Sequence, residues 1–263
     1  MLQSSGGSEV DVHLSEKNAT ECTTTAAVLA AVLAAVLAVA AVTTDLLLRR
    51  HARLRGAAAA RACEGGLELR TGDVVALSSP RGSLFVRAAG ALLGTAFYHA
   101  AVVLLVPGTS CPYLLHYVEP ALRRRFYAAE PLAAGPLRTE AAGDGLAASR
   151  LCPLLAAFGP GTLVQVLRPA APPSAEALLE AASDVSRGRS YAEDGGALRF
   201  ALAPAATDRL TCTAFVGLLA ERLGLVRRPS RAPARDYVPG RLQRALLASG
   251  GYNEAGVFLL GRE

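Results

Sequence analysis

An uninterrupted apolar run near the N-terminus constrains what this chain can fold into more than any other feature. The run covers residues 26–42, and three leucines at 46–48 continue it after a short polar break. About 20 residues are needed for a helix to cross a bilayer, so residues 26–48 just reach that length. We predict one transmembrane anchor here. The alternative is an Ala-rich helix packed on a soluble domain, because alanine makes the run only weakly hydrophobic.

The charges on either side of the run predict how such an anchor is oriented. Four acidic residues and Lys17 precede it, a net charge of −3, and five arginines follow it by residue 61. Arginine excess marks the cytoplasmic side of a membrane segment. We therefore expect the N-terminus to be outside or lumenal and the main domain cytoplasmic. The sequon Asn18-Ala19-Thr20 then lies on the side where glycosylation occurs.

This division predicts four regions along the 263-residue chain. Residues 1–25 are polar and are expected to be disordered, and residues 26–48 form the anchor. Residues 49–66 are an arginine-rich connector, and residues 67–263 form the globular domain. A domain of this length can bury a sizeable core on its own.

Charge and cysteine usage argue against two classes of function. The net charge is +5, but aromatic residues are few and are not interleaved with the arginines as in a base-stacking surface. Nucleic acid is therefore not expected as a partner. The five cysteines are irregularly spaced without a CxxC pair, which disfavours a zinc site or a disulfide framework. We expect Cys63, Cys111 and Cys152 to be reduced thiols, with no metal or cofactor, and the oligomeric state is left open.

Strand and helix patterns alternate irregularly in the domain, which favours an α+β fold with an antiparallel sheet. Strands are predicted at residues 67–77 with a turn at Gly72-Asp73, at 100–106, at 113–119 and at 161–168. The second and third of these are expected to form a hairpin. Helices are predicted at residues 83–93, 174–185 and 242–247, with Ser174 as the cap of the second.

The segment 209–224 predicts a further helix, which begins near Cys212 and ends at Gly224. A helix N-terminus stabilises a thiolate through its unpaired N–H groups and its dipole. A cysteine at this position becomes a nucleophile when a base takes its proton. Cys212 is therefore the candidate nucleophile.

Four histidines are candidates for the base. His13 lies in the polar tail and His51 lies beside the predicted anchor, whereas His99 and His116 lie in strand-like segments. His99 stands at the start of its strand, where its ring can reach a cleft, so we predict that it is the general base.

A catalytic histidine also needs a group that orients its second ring nitrogen. Glu119, at the end of the strand predicted at 113–119, can supply it. His116 has the opposite pleat parity in that strand, so only one of the two can face His99. Each residue alone also has an ordinary explanation, as a core cysteine, a capping histidine or a solvated acid. The hypothesis is that Cys212, His99 and Glu119 meet in one cleft.

Six short segments, taken in order, resemble one known family. They are residues 70–77 with Gly72-Asp73, 98–103, 117–121, 163–168, 188–191 and 212–216. In this order they resemble the circularly permuted branch of the NlpC-type papain-like superfamily. That branch includes bacterial lipid-hydrolase-like proteins, poxvirus proteins and the lecithin retinol acyltransferase group.

The resemblance covers roughly residues 67–224 and implies a permuted papain-like domain whose sheet packs on the cysteine helix. It implies His99 as base, Cys212 as nucleophile and Glu119 as the third polar group. The chain departs from the family pattern in three places: the hairpin at residues 107–112, Ala192 where Asp is usual, and Thr213 beside the cysteine.

Together these features favour a membrane-anchored thiol hydrolase or acyltransferase that works through an acyl-enzyme on Cys212. A lipid ester or amide is the preferred substrate, and a peptide amide is the other. A second hypothesis, motivated by Ala192 and Thr213, is an anchored binding or structural protein of the same fold without turnover. A third is a basic protein that binds acidic surfaces through Arg123 to Arg125 and the loop 227–235.

Overall fold

A computed structural model describes residues 27, 30–40, 42–43, 46–47, 68–78, 95, 97–109, 111–120, 129–131, 144–192, 209–227, 229–231 and 236–259. The tail predicted at residues 1–25, the connector at 49–66, the helix at 83–93 and the arginines at 123–125 lie outside these residues. In the loop 227–235, residues 228 and 232–235 lie outside them as well.

The described strands are β1 (Val74–Ser78), β2 (His99–Leu104), β3 (Tyr113–Tyr117), β4 (Ala129–Pro131), β5 (Leu146–Arg150), β6 (Leu163–Pro169), β7 (Ser190–Tyr191), β8 (Arg209–Leu210) and β9 (Tyr252–Leu259). The helices of the domain are α1 (Leu151–Phe158), α2 (Ala175–Ser186), α3 (Cys212–Arg222) and α4 (Arg241–Ala248).

Seven strands form one sheet in the order β4-β5-β3-β2-β1-β6-β9, and every neighbouring pair is antiparallel. The short strands β7 and β8 form a separate parallel pair. The prediction of an α+β fold with an antiparallel sheet is confirmed. The predicted hairpin is confirmed as well, because β2 and β3 pair with Val102 opposite Leu115. Strands β4, β5, β7, β8 and β9 and helix α1 were not predicted.

Helices cover both faces of the central strands, which explains why residues 100–106 lack a polar face. Alternate residues such as Ala100, Val102 and Leu115 pack with α2, α3 and α4. The residues between them, such as Ala101 and Leu114, pack with α1 on the other face. The sheet is therefore the middle layer of three, and strands buried on both faces are apolar throughout.

Side chains cap the two longest helices described in the domain, and the Ser174 cap was predicted. Ser174 precedes α2 and its hydroxyl accepts a hydrogen bond from the N–H of Ala177 at 3.1 Å. Thr211 precedes α3 and accepts from the N–H of Ala214 at 3.2 Å. Each cap satisfies one of the N–H groups that a helix start leaves without a partner.

The first predicted strand, residues 67–77, exists only in its second half. Residues 68–70 are irregular, Gly72 has a φ of 90° in the turn, and Asp73 then precedes β1. The Asp73 carboxylate accepts from the backbone N–H of Arg70 at 2.9 Å and from the Arg168 guanidinium at 3.2 and 3.1 Å. Together with backbone bonds that join Gly72 and Asp73 to Val103 of β2, these side-chain bonds hold the chain before β1.

Residues 30–40 are helical, and four of their apolar side chains are exposed, from 55% for Val32 to 66% for Val39, while Leu37 is half-buried. Among the described residues, no helix combines the length and the apolarity that crossing a bilayer requires. The transmembrane part of the predicted fold is therefore unsupported. Part of the segment 26–48 lies outside the described residues.

Candidate active site

Two histidines from neighbouring strands form the centre of the candidate site. His99 begins β2 and His116 lies in β3, and both have the parity of Ala101 and Leu114 on the α1 face of the sheet. Their side chains are 3% and 0% exposed. His99 Nε2 lies 2.9 Å from His116 Nδ1, within hydrogen-bond distance.

A serine from the next strand extends this pair. Ser149 lies in β5, which pairs with β3 so that Ser149 stands opposite Leu114 and therefore on the same face as His116. Ser149 Oγ lies 2.9 Å from His116 Nε2, and its side chain is fully buried. Three polar groups on β2, β3 and β5 thus form one continuous buried chain.

An aromatic cover encloses His99. The ring of Phe158, at the end of α1, lies 5.8 Å from the His99 ring, and the Tyr98 ring stacks on Phe158 at 6.4 Å. This burial lowers the pKa of His99 to about 3, because an imidazolium loses its hydration there. His99 is therefore a neutral imidazole at physiological pH.

Cys212 reaches the backbone on both sides of His99. It is the first residue of α3 and is 7% exposed. Its Sγ donates to the carbonyl oxygen of Tyr98 at 3.8 Å and lies near the backbone N–H of Ala100. The pairing of β2 with β3 starts only at Val102, whereas its pairing with β1 includes His99. The side of β2 toward β3 therefore has room for the sulfur.

Two opposing effects act on the Cys212 thiol. Burial raises its pKa, because a thiolate is poorly solvated in the protein interior. The backbone N–H groups of Ala100, Thr213 and Cys212 itself lower the pKa, but burial is the larger effect. The last two N–H groups belong to the helix start, as the sequence predicted. The thiol is thus protonated at rest despite its position.

The structure brings Cys212 and His99 together only in part. Helix α3 packs on one face of the sheet, while the His99 ring points to the α1 face. The thiol hydrogen bond goes to the Tyr98 carbonyl and not to the His99 ring. The sulfur and the imidazole thus approach the same end of β2 from opposite faces.

Glu119 does not hold the position predicted for it. Its parity is that of Leu115 and Tyr117, which lie on the α3 face, and it is partly exposed beyond the end of β3. His116 makes the hydrogen bond that was assigned to Glu119. The parity rule holds, and the structure places His116 rather than Glu119 against the His99 ring.

The resemblance also singled out residues 188–191, which have a structural role here. Tyr117 donates from its hydroxyl to the carbonyl oxygen of Arg189 at 2.6 Å. Its ring lies 6.3 Å from the ring of Tyr191 and 5.7 Å from that of Phe215 in α3. This aromatic stack joins β3 to the cysteine helix and so holds Cys212 near β2.

The cysteines outside α3 differ from expectation. Cys111 is a free thiol, as predicted, but Cys152 is disulfide-bonded. The Sγ atoms of Cys111 and Cys152 are only 3.1 Å apart, just before β3 and in the first turn of α1. The expectation of reduced thiols is therefore wrong for Cys152. Within the described residues, no three metal-ligating side chains come together.

Sequence reasoning missed His116 as the orienting group and missed Ser149 altogether. The signal for His116 was its place inside an apolar strand, where a buried polar side chain needs a partner. Ser149 gave no such signal, because strand β5 was not predicted. Comparisons of the chain with family models, curated proteins and solved structures give no match.

Proposed function

We propose that this protein is a cysteine-dependent hydrolase or acyltransferase in which Cys212, His99 and His116 carry the reaction. The observation that carries the proposal is the buried bond between His99 Nε2 and His116 Nδ1, at the strand end that the Cys212 sulfur contacts. A hydrogen-bonded histidine pair next to a cysteine at a helix start supplies a base, its orienting group and a nucleophile.

In this proposal the two nitrogens of His99 have different roles. Nε2 faces His116, so Nδ1 is the nitrogen that takes the thiol proton. In histidine, Nδ1 lies nearer to the main chain than Nε2, and the main chain on both sides of His99 is what the sulfur contacts. The proposal requires the Cys212 or His99 side chain to turn so that Sγ, which now bonds the Tyr98 carbonyl, comes within hydrogen-bond distance of Nδ1.

The reaction then proceeds from a neutral pair. The thiol attacks an acyl carbonyl carbon while its proton passes to His99 Nδ1, and a sulfur–carbon bond forms. The leaving alcohol or amine takes the proton back as its bond to the acyl carbon breaks. Water or another acceptor then attacks the thioester carbon and gives its proton to His99 Nδ1. The sulfur–carbon bond breaks, and Sγ takes that proton to restore the thiol. The N–H groups of Cys212 and Ala100 near the sulfur are the candidate donors to the transient oxyanion.

Trapping the acyl-enzyme tests this proposal. The full chain is incubated with an activated long-chain acyl thioester and its peptides are analysed by mass spectrometry. We expect hydroxylamine-sensitive acylation at Cys212 that is lost in Cys212→Ala and falls about 100-fold or more in His99→Gln. Cys111→Ala is the matched control, since Cys111 is a second free cysteine away from α3. Equal acylation of Cys111 and Cys212 would contradict the proposal.

One observation favours the alternative of a binding or structural protein without turnover. The thiol is buried and bonded to the Tyr98 carbonyl rather than to the His99 ring. Under this alternative, no acyl donor modifies Cys212 in the folded chain, and Cys212→Ser leaves every binding property unchanged. The same acylation experiment therefore separates the two functions.

The proposed membrane anchor and lipid substrate rest on residues 26–48. The exposed side chains of Val32, Leu33, Val36 and Val39 support an apolar environment, since a helix packed on the domain would bury some of them. We expect the full chain to resist alkaline carbonate extraction from membranes, and a variant that starts at residue 49 to be released. Release of both forms would leave the anchor and the preference for lipid without support.

A further inference from the structure

We propose that Cys111 and Cys152 form a thiol–disulfide exchange site, in which the Cys111 thiol attacks the disulfide at Cys152 and becomes its new partner. Cys111 is a free thiol, whereas Cys152 is disulfide-bonded. Their Sγ atoms nevertheless lie only 3.1 Å apart. A thiol in contact with a disulfide sulfur has both reactants of the exchange reaction side by side. This site is separate from the reaction proposed for Cys212 and does not depend on it.

The backbone holds these two cysteines opposite each other. Strands β3 and β5 are paired, and just beyond their ladder the N–H of Leu151 donates to the carbonyl oxygen of Pro112 at 2.9 Å. One further step of the same register brings Cys111 opposite Cys152. Residues directly opposite in an antiparallel pair have Cα atoms about 4.5–5.5 Å apart, which lies within the range of about 4.4–6.8 Å that a disulfide requires. The register therefore favours a Cys111–Cys152 bond.

The distance and the access of Cys111 both suit an attacking thiol. Reacting atoms about 3–3.5 Å apart are at the separation from which a bond forms with little further movement, and 3.1 Å lies in that range. The Cys111 thiol also contacts the carbonyl oxygen of Pro112 at 3.7 Å, a long contact that leaves the sulfur beside Cys152. Cys111 is half-buried, so small thiols in solution reach it. A fully buried structural cysteine, by contrast, is inert.

The exchange consumes no oxidant. The Cys111 thiol loses its proton and its sulfur attacks Cys152 Sγ, so that the Cys111–Cys152 bond forms. The bond from Cys152 to its present partner breaks, and the sulfur of that partner leaves with the electron pair and takes up the proton. One thiol and one disulfide enter the step, and one thiol and one disulfide leave it.

The exchange changes the segment to which helix α1 is tied. Cys152 lies in the first turn of α1, and Phe158 at the other end of this helix covers the His99 ring. Cys111 packs on the same face of the sheet, two residues before the strand that contains His116. The new bond therefore replaces the present link of α1 by a link to the start of β3, in the layer that surrounds the two histidines.

Disulfide mapping of the full chain tests whether the exchange occurs. The folded wild type is incubated at pH 8, quenched with acid, digested with pepsin without reduction and analysed by mass spectrometry. We expect peptides that join Cys152 to Cys111 beside peptides that join Cys152 to its present partner. Cys212→Ala should keep both kinds, and Cys111→Ser should keep only the second. If the first kind appears only after unfolding in urea, the proposal is overturned.

A small disulfide measures how effectively Cys111 resolves a bond at Cys152. The chain has five cysteines, and Cys22→Ser combined with Cys63→Ser leaves Cys111, Cys152 and Cys212. This double variant is reduced and then treated with oxidised glutathione. We expect the glutathione adduct of Cys152 to be about 100-fold or more scarcer than in the same variant with Cys111→Ser added, because Cys111 displaces glutathione. The product is then a Cys111–Cys152 bond.

Equal amounts of the adduct with and without Cys111 would overturn the proposal, and so would a bond from Cys152 to Cys212 in place of the bond to Cys111. Thermal unfolding of each variant shows that the fold is kept. If the double variant does not fold, the mapping of the wild type decides alone. Neither experiment measures acylation of Cys212, so the exchange site stands or fails independently of the proposed function.

Discussion

At the scale of single residues, burial determines the protonation states of the site more than neighbouring charges do. Burial raises the pKa of Cys212 and lowers that of His99, so both are neutral at rest. This differs from a preformed thiolate–imidazolium pair, in which each charge stabilises the other. A neutral thiol and imidazole react only when the bound substrate stabilises the charge that develops in the transition state.

The Cys212 thiol is expected to react slowly with iodoacetamide at pH 7, because it is buried and mostly protonated. Cys111 is a free, half-buried thiol and serves as the internal reference. Mass spectrometry of the two peptides after timed alkylation gives both rates. We expect Cys212 to be alkylated more slowly than Cys111 at pH 7. Its alkylation rate should rise as the pH increases above 9. Faster labelling of Cys212 at pH 7 would show a thiolate instead.

The burial of neutral His99 predicts that the stability of the protein depends on pH. Its pKa is about 3 when folded and about 6.5 when unfolded, so the unfolded state binds more protons between these values. The free energy of unfolding should therefore fall as pH drops from 6.5 toward 3, by up to about 1.4 kcal/mol per pH unit from this residue. Urea unfolding of His99→Gln should show a shallower slope over that range. Parallel pH profiles would contradict the burial of a neutral His99.

At the scale of elements, α3 is the part of the fold that the site depends on. Thr211 caps its start and the stack of Tyr117 and Phe215 ties it to β3. Its middle contains Gly217, where an added Cβ would lie 2.2 Å from the ring of Tyr237. Gly217 thus allows the Tyr237 ring to pack closely against α3, although glycine lowers the stability of a helix.

Gly217→Ala separates these two effects. Helix propensity alone would stabilise the protein by about 1 kcal/mol. Overlap with the Tyr237 ring should outweigh this and give a net loss of about 1–3 kcal/mol, since the atoms in the way lie close to the tyrosine stem. Chemical denaturation measures the change, and Gly217→Ala on a Tyr237→Leu background should lose much less. A stabilised single variant would show that the ring moves aside freely.

At the scale of the whole molecule, the antiparallel sheet brings together residues that are distant in the chain. Asp73, fully buried before β1, holds Arg168 near the end of β6 through two hydrogen bonds. Arg168 also donates to the carbonyl oxygen of Glu68 at 2.5 Å. In the segment 70–77, which resembled the opening motif of a family, Asp73 thus holds the end of the sheet beside Arg168, whereas Leu77 stands opposite His99 of the candidate site.

Breaking this pair is expected to be costly. Arg168→Ala leaves a buried carboxylate without its cation and should lower the free energy of unfolding by about 3 kcal/mol. Asp73→Asn combined with Arg168→Met should lose less than Arg168→Ala alone. Arg187→Ala is the control, because its pair with Asp184 is exposed and should contribute no more than about 1 kcal/mol. Equal losses for the Arg168→Ala and Arg187→Ala variants would contradict the role of burial.

The amino-acid sequence by itself determined the features that depend on local chemistry. Ser174 and Thr211 mark helix starts because their hydroxyls cap free N–H groups, and Gly224 marks an end because its φ of 70° suits glycine. The apolar run of β2 indicated a strand buried on both faces. The sequence thus predicted the antiparallel α+β class and the cysteine at a helix start.

Only the tertiary structure decided which polar groups meet. Whether His116 or Glu119 faces His99 depends on the pairing register of β2 with β3, which the sequence does not state. Ser149 enters the site because β5 pairs with β3, although residues 118–145 separate the two strands. Side-chain contacts between strands are set by register and by strand order, and both are properties of the assembled sheet rather than of any one segment.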